Sequence, residues 1–310
     1  MPSKHRKALL AALLVVTCAA ALRGQESPAP APAAPAARQE LPPTHDPKEI
    51  VRRALDVDQS DFQLARDYTF EERDDMKFLD KHGAVKKREI TTSDVTILYG
   101  QPYTRRIQKD DKPLSEKDER KEEEKVDKFI AEHKNESDKE REKRLAKQEK
   151  ERQEGRAFVR DVINAYDFRM VGDEQVDGHD TYVIDATPRK DFRPTQPHAD
   201  VLPKLQGKLW ISKKDYGWVK VEVETLDTIS WGVFVLRIHK GAQLRFEQTY
   251  VNDEIWLPRR ISLNAGARLA LVANDQVDLD TTFSKYKKFT SGVRILPGAS
   301  EIQPSADPPR

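Results

Sequence analysis

The stretch 207–224, GKLWISKKDYGWVKVEVE, decides the fold, because it holds two alternating segments separated by a turn signal. The second segment alternates apolar and charged residues, namely Val219, Val221 and Val223 with Lys220, Glu222 and Glu224. Alternation with a period of two is typical of a strand that buries one face and leaves the other in water. The stretch therefore predicts an antiparallel hairpin.

Similar turn signals divide the rest of the chain into strands. They are the dipeptides Asp177-Gly178, Lys240-Gly241, Asn252-Asp253 and Asn274-Asp275, which are common in hairpin turns. About eight strands are predicted between residues 168 and 289, and three more between 68 and 109. A sheet of about eleven antiparallel strands must curl or close, since its twist accumulates. The fold class is therefore mainly β, of the α+β type.

Helices are predicted on either side of the first strands. Asp46-Pro47 is a helix start, because aspartate caps a helix and proline is tolerated in its first turn. An apolar stripe follows, and we expect this helix to end near Asp58. Apolar residues between 158 and 166 predict another amphipathic helix, which we expect to cover the sheet.

Residues 115–156 form a segment dominated by Lys, Arg, Glu and Asp. Ser115 and Ser137 are cap-like starts of two helices, and the apolar positions are too few for a coiled-coil seam. The segment predicts a helical hairpin inserted into the domain. Two interpretations stay open, since charge runs are usually solvated faces but also serve as docking surfaces for a partner or for anionic head groups.

The termini predict export and tethering. Residues 1–25 combine a basic start with an apolar run, which is typical of a secretory signal peptide and predicts a periplasmic protein. A single-pass membrane anchor is the alternative, although the apolar run is short for a span. Residues 26–45 are rich in Pro and Ala, as in extended linkers. The predicted domain covers 46–290, and 291–310 are predicted to be a disordered tail.

Cys18 is the only cysteine and lies in the signal region. We interpret it as a small apolar residue of the signal core. Lipidation of Cys18 is the alternative, although Thr17 before it fits a lipoprotein cleavage box poorly. Once the signal is removed, the chain has no cysteine, which excludes disulfides, thiolate nucleophiles and cysteine metal sites.

Composition and motifs indicate a non-enzymatic protein. The 54 Lys and Arg against 53 Asp and Glu give a net charge of +1, which offers no electrostatic case for nucleic acid. The seven histidines form no pair at metal-binding spacing, and no nucleophile elbow, phosphate loop or dinucleotide fingerprint is present. We therefore expect no enzymatic activity, no cofactor and no metal site.

Three longer motifs carry a resemblance to a known family. They are VDGHDTYVIDATP at 176–188, GKLWISKKDYGWVKVEVE at 207–224 and YVNDEIWLPRRI at 250–261. With the helices, they resemble the bacterial outer-membrane lipoprotein-sorting proteins, which are the periplasmic Lol-type carriers and their half-barrel relatives. The resemblance implies a curved, unclosed antiparallel half-barrel with covering helices around an apolar cavity for acyl chains. The charged insert departs from the family pattern, and no functional residue is transferred.

The leading hypothesis is a periplasmic carrier or binding protein that holds a lipid or lipoprotein acyl chain. Alternation selects one apolar wall as the lining of the cavity, formed by Val219, Val221, Val223, Leu244, Phe246, Leu269, Leu271 and Leu279. The alternative for these residues is an ordinary dense core. The alternative function is an envelope interaction or scaffold protein, in which the charged hairpin docks a membrane-associated protein partner and the half-barrel is a platform.

Alternation also assigns the tryptophans. It places Trp210, Trp218 and Trp256 on the face opposite Leu209, Val219 and Leu257. Two interpretations stay open, since aromatic side chains mostly contribute burial but also line the mouths of apolar cavities.

Overall fold

The computed structural model describes residues 43–288 except 81, 100, 135, 197, 232–235 and 270–271. The predicted signal peptide, Cys18, most of the linker and the tail lie outside these residues. Three α-helices are present in the described part, namely α1 (Pro47–Leu64), α2 (Glu116–Lys134) and α3 (Asp138–Ala165), with 3₁₀ turns at Ala65–Asp67 and Ala199–Lys204.

The strands form one antiparallel sheet, with bounds that follow the predicted hairpins closely. They are β1 (Tyr68–Leu79), β2 (Val85–Leu98), β3 (Gln101–Lys109), β4 (Lys112–Pro113), β5 (Tyr166–Val176), β6 (His179–Pro188), β7 (Leu205–Ser212), β8 (Trp218–Thr225), β9 (Ile229–Trp231), β10 (Leu236–Ile238), β11 (Gln243–Val251), β12 (Ile255–Leu269) and β13 (Val272–Lys288).

Eleven strands lie side by side in the order β4-β3-β2-β1-β13-β12-β11-β8-β7-β6-β5, and the short β9–β10 pair branches from β12. The two ends of this order do not pair with each other, so the sheet is unclosed. The predicted class, a mainly β unclosed antiparallel sheet of about eleven strands with covering helices, is confirmed.

One predicted turn is wrong. Asn274-Asp275 was expected to close a hairpin, but Asn274 pairs with Arg268 inside the β12–β13 ladder. The ladder continues to Leu269 and Val272, so the connection falls at residues 270–271, which lie outside the described part of the chain. The turn propensity of the Asn-Asp dipeptide is therefore overridden by strand pairing, which gains hydrogen bonds along the whole ladder.

The first helix is longer than predicted. The Asp46 carboxylate accepts a hydrogen bond from the Lys48 amide at 3.1 Å, which caps α1 as expected. The helix continues past Asp58 to Leu64. Asp61, one turn after Asp58, is only 4% exposed. The two aspartates are therefore part of the helix and do not end it.

The charged hairpin forms as predicted, but its second helix has no break. Ser137 and Glu140 form a reciprocal capping box at its start. The helix α3 then runs without interruption to Ala165. The covering helix expected at 158–166 is therefore the last part of α3, so the insert is continuous with an element that packs on the sheet.

The hairpin also contacts the sheet through its first helix. The Phe129 ring lies 4.9 Å from the Tyr103 ring on β3, between their centroids. Val126 is 5% exposed, and the buried Glu122 pairs with Arg106 at 3.2 Å. The hairpin is therefore docked along one side of α2 and presents its other sides to solvent.

Candidate ligand cavity

An apolar cavity of about 160 Å³ lies between the helices α1 and α3 and the strands β5 to β8 and β11. Its wall is formed by Val51, Leu55, Asp58, Phe158, Val159, Val162, Tyr166, Phe168, Ala186, Leu202, Leu205, Gln206, Gly207, Leu209, Trp218, Val221, Val223 and Phe246. The cavity adjoins the largest core cluster, which joins both helices to β5, β6 and β7. It is therefore a gap under the helices that is partly open to solvent.

The few polar groups in this wall are mostly satisfied by protein partners. The Tyr166 hydroxyl donates a hydrogen bond to the Leu202 carbonyl oxygen at 2.9 Å, and burial raises the pKa of this phenol. The Gln206 amide donates to a carboxylate oxygen of Glu224 at 3.0 Å. Asp58 differs, because no hydrogen bond or ion pair to its carboxylate is found in the described part of the chain.

The helical period explains why Asp58 lines the cavity. Val51, Leu55 and Asp58 are spaced by four and three residues, so they lie on one face of α1. Burial in the cavity wall, together with the nearby Asp61 carboxylate, raises the pKa of Asp58 to about 7. Asp61 itself accepts a hydrogen bond from the Trp256 amide at 3.0 Å. Asp61 is therefore a structural anchor, and Asp58 is left facing the cavity.

The covering helices are held by a small number of polar contacts. Arg53 on α1 donates a hydrogen bond to the Tyr216 hydroxyl at 2.9 Å, in the turn between β7 and β8. Asp161 on α3 accepts hydrogen bonds from the backbone amides of Thr195 and Gln196 at 2.8 and 3.0 Å. These contacts fix each helix to a loop, and Asp61 also binds α1 to the sheet through the Trp256 amide of β12.

A bulge changes the faces predicted for β8. Ile211 pairs with Trp218 and Trp210 pairs with Lys220, so Val219 is the extra residue. Val219, only 1% exposed, packs with Trp210 and Trp256 in a separate cluster on the other side of the sheet. The expectation that Val219 shares a face with Val221 and Val223 is therefore wrong, because a bulge interrupts the period of two.

The same bulge explains why the tryptophans do not share one face of the sheet, as was predicted. Trp218 lies in the cavity wall, whereas Trp210 and Trp256 belong to the cluster around Val219. Trp210 donates a hydrogen bond to Glu174 at 2.7 Å, and Lys220 lies 3.6 Å from the centroid of its ring. Trp218 is therefore the tryptophan of this group that a ligand in the cavity would touch.

The other predicted lining residues fall in several places. Val221, Val223 and Phe246 line the cavity. Leu244 and Leu279 belong to a neighbouring core cluster and border an adjoining groove of about 610 Å³, whose wall is mostly polar and charged and shares Val223 with the cavity. The backbone of Leu269 lies in β12, and Leu271 lies outside the described residues. A role in ligand binding stays a prediction for all eight.

Alternation along strands could not identify the helical half of the wall. Val51 and Leu55 come from α1, and Phe158 and Val162 come from the last part of α3. The apolar stripes of both helices were visible in the sequence, but which strands they cover depends on long-range packing. The sequence also indicated Asp58 as a wall residue, because it continues the stripe of Val51 and Leu55. The prediction that the helix ends near Asp58 left this residue out of the stripe.

Two further searches of the described residues gave negative results. No group of three or more His, Cys, Asp or Glu side chains is arranged to hold a metal ion in the part of the chain that the structure covers. Within the same residues, no helix is both long and apolar enough to span a membrane.

Comparison with known proteins gives matches among solved structures alone: no protein-family model and no curated protein matches the chain. A DUF1329 family protein from Desulfovibrio piger is 13% identical, with 81% of this chain and 96% of that chain covered and a TM-score of 0.32. A putative outer membrane lipoprotein-sorting protein domain from Vibrio parahaemolyticus is 12% identical, with 78% and 94% covered and a TM-score of 0.31.

A LolA superfamily protein from Nitrosomonas europaea is 12% identical, with 81% of this chain and 94% of that chain covered and a TM-score of 0.27. The structural neighbours therefore include the lipoprotein-sorting proteins that the sequence motifs resemble. At these identities and scores, the similarity is one of general fold.

Proposed function

We propose that this protein is an exported, non-enzymatic binding or carrier protein that holds the apolar chain of a lipid or lipoprotein between α1, α3 and the sheet. The observation that supports the proposal is the cavity of about 160 Å³ with a predominantly apolar wall. Apolar surface in contact with water is unfavourable, so an apolar chain that covers this wall gains free energy on binding.

Under this proposal, the helices lie closer to the sheet in this structure than they do with a ligand bound. An apolar cavity of roughly 150 Å³ accepts a benzene-sized molecule, whereas ligand pockets usually measure about 300–1,000 Å³. A long acyl chain therefore enters only if the helices move away from the sheet. Each buried methylene contributes about 0.8 kcal/mol, so a chain of roughly ten methylenes gains enough to offset such a movement.

The contacts of the helices suit this movement. The polar contacts of the two helices are Arg53 with Tyr216, Asp161 with Thr195 and Asp61 with the Trp256 amide, and water replaces them when the helices open. The apolar contact of the helices with the sheet is exchanged for contact with the ligand. Under this proposal α1 and α3 act as a lid. The lid opens to release the ligand, and it then closes on the empty cavity.

A cavity-filling substitution tests the proposal. Val221→Phe places an aromatic ring in the wall, and Val85→Phe is the matched control, since Val85 is 56% exposed on β2. We expect the affinity for the neutral fluorophore N-phenylnaphthylamine to fall by about tenfold in Val221→Phe and to stay unchanged in the control. Equal affinity of Val221→Phe and the unmodified protein would place the binding site elsewhere.

Native mass spectrometry provides an independent test on the protein purified from its own cell envelope. We expect a co-purifying lipid or acylated peptide, and we expect less of it in Val221→Phe than in Val85→Phe. A protein that is consistently empty and does not bind the fluorophore would contradict the carrier function. Detection of the protein in the cytoplasm would contradict the export predicted from residues 1–25.

A second candidate function rests on the charged hairpin. Among the residues of α2 only Glu122 and Val126 are buried, so most of this helix presents charged side chains to solvent. The hairpin would then dock an envelope protein while the sheet serves as a platform. Deleting residues 115–155 separates the two functions. Loss of partner capture with intact fluorophore binding would assign docking to the hairpin. Unchanged partner capture would exclude docking by the hairpin.

A further inference from the structure

Among the described residues that line the cavity, Asp58 is the one with a charged side chain. It lies on the same face of α1 as Val51 and Leu55, so the helix presents it to the sheet. Within the described residues, it has no hydrogen-bond or ion-pair partner. A carboxylate in apolar surroundings without a partner is unfavourable. Proteins normally avoid this arrangement, except at functional sites.

The surroundings of Asp58 offer no positive charge. Its nearest charged neighbour is Asp61, which has the same sign and is held by the Trp256 amide. On the sheet side, the Tyr166 hydroxyl is bonded to the Leu202 carbonyl oxygen. Gln206 is likewise bonded to Glu224. Asp58 therefore faces an apolar space, and no cationic residue is among the described residues that line it.

We propose that the ligand of this cavity is an amphiphile that carries a protonated amine beside its apolar chain, and that Asp58 pairs with this amine. The proposal rests on the proposed function, since it assigns the head group of the ligand held in the same cavity. An ammonium group supplies both the hydrogen-bond donors and the positive charge that the site lacks. The apolar wall then holds the adjacent chain.

Charge complementarity distinguishes this ligand from other amphiphiles. A fatty acid would place a third carboxylate beside Asp58 and Asp61, and like charges in an apolar site repel strongly. A neutral alcohol would accept or donate one hydrogen bond without compensating the charge. An amine of the same chain length should therefore bind most tightly wherever Asp58 is ionised.

Three competitors of equal chain length test the proposal, namely octylamine, octanol and octanoate, each displacing N-phenylnaphthylamine from the purified protein. At about pH 8 we expect the amine to bind about tenfold more tightly than the alcohol, the effect of one charge-assisted hydrogen bond. In Asp58→Asn the preference should disappear. The control is Asp56→Asn, because Asp56 lies on the same helix, is exposed and pairs with Arg52.

The outcomes separate this inference from the proposed function. If amine and alcohol bind equally well to the unmodified protein, the amine head group is wrong while the cavity remains a binding site. If none of the three displaces the fluorophore, the proposed function fails and this inference fails with it. A preference for the amine that persists in Asp58→Asn would assign it to another group and overturn the role of Asp58.

The pH dependence of binding to the unmodified protein gives a second measurement that needs no variant. Burial and Asp61 raise the pKa of Asp58 to about 7, while an alkylamine stays protonated well above that pH. Lowering the pH from about 8 to about 5.5 neutralises Asp58, so the preference for amine over alcohol should fall by about tenfold. A preference that does not change over this range would contradict pairing with Asp58.

Discussion

The guanidinium of Arg53 donates a hydrogen bond to the hydroxyl oxygen of Tyr216 at 2.9 Å, and its central carbon lies 5.0 Å from the centroid of the same ring. This pair joins the middle of α1 to the turn between β7 and β8. Tyr216 occupies the left-handed region with a φ of 60°, so the turn holds the ring in place over the helix. The pair therefore fixes one edge of the proposed lid.

Tyr216→Phe tests this contact while keeping the ring. Loss of the hydroxyl should lower the free energy of unfolding by about 1 kcal/mol and speed the entry of the fluorophore, because α1 opens more easily. Chemical unfolding and stopped-flow fluorescence give the two quantities. The control is Tyr250→Phe, whose hydroxyl donates to the Asp253 carbonyl within the β11–β12 turn. Entry that is equally fast in both variants would contradict the role of the pair.

Asp58→Asn should stabilise the protein at high pH. The pKa of Asp58 is raised in the folded protein from 3.8 to about 7, so its ionisation costs folding free energy as the pH rises through this range. Because Asp58 is partly exposed, we expect the substitution to raise the free energy of unfolding by about 2 kcal/mol near pH 8. This increase should shrink to nothing near pH 4. Urea unfolding at several pH values measures it. Asp56→Asn should show no such pH-dependent gain, and an equal gain in both variants would exclude the cavity as the cause.

Gly217→Ala should destabilise the β7–β8 turn. A Cβ atom at this position would lie 2.0 Å from the Trp256 side-chain nitrogen, and Trp256 is itself buried and bonded to Asp215. The ring or the turn must move, at a cost of about 2 kcal/mol. The matched control is Gly266→Ala, where the nearest atom, on His239, is 3.4 Å away. Thermal unfolding measures both, and equal melting temperatures would show that the ring moves freely.

Phe129→Ala should detach the charged hairpin without unfolding the sheet. Phe129 contacts Tyr103 on β3, with ring centroids 4.9 Å apart, and the Phe129 ring also lies 4.1 Å from His133 of its own helix. Losing these contacts costs about 1.4 kcal/mol, which corresponds to a tenfold larger detached population. Trypsin should therefore cut the hairpin about tenfold faster. Glu132→Ala, at an exposed position of the same helix, should leave the rate unchanged. An unchanged rate in Phe129→Ala would show that the aromatic contacts do not hold the hairpin.

Local signals in the sequence determined the strands and most hairpins. Asp177 and Gly178 adopt φ values of 49° and 83°, and Asn252 and Asp253 adopt 52° and 55°. Asp, Gly and Asn tolerate these conformations better than other residue types, so the turns can be predicted from the residues alone. The charged hairpin with its Ser137 cap was predicted for the same reason, since capping depends on neighbours in the chain.

Tertiary structure decided the composition of the cavity wall. The bulge that moves Val219 to the other face arises from the pairing of β7 with β8, and a strand's own alternation does not reveal it. The helix α1 continues through Asp58 and Asp61 because Asp61 binds the Trp256 amide, 195 residues away in the chain. The sequence alone therefore predicted the antiparallel sheet, because strands and turns depend on local composition and period. The cavity and its unpaired Asp58 depend on contacts between distant residues, and only the folded structure brings those together.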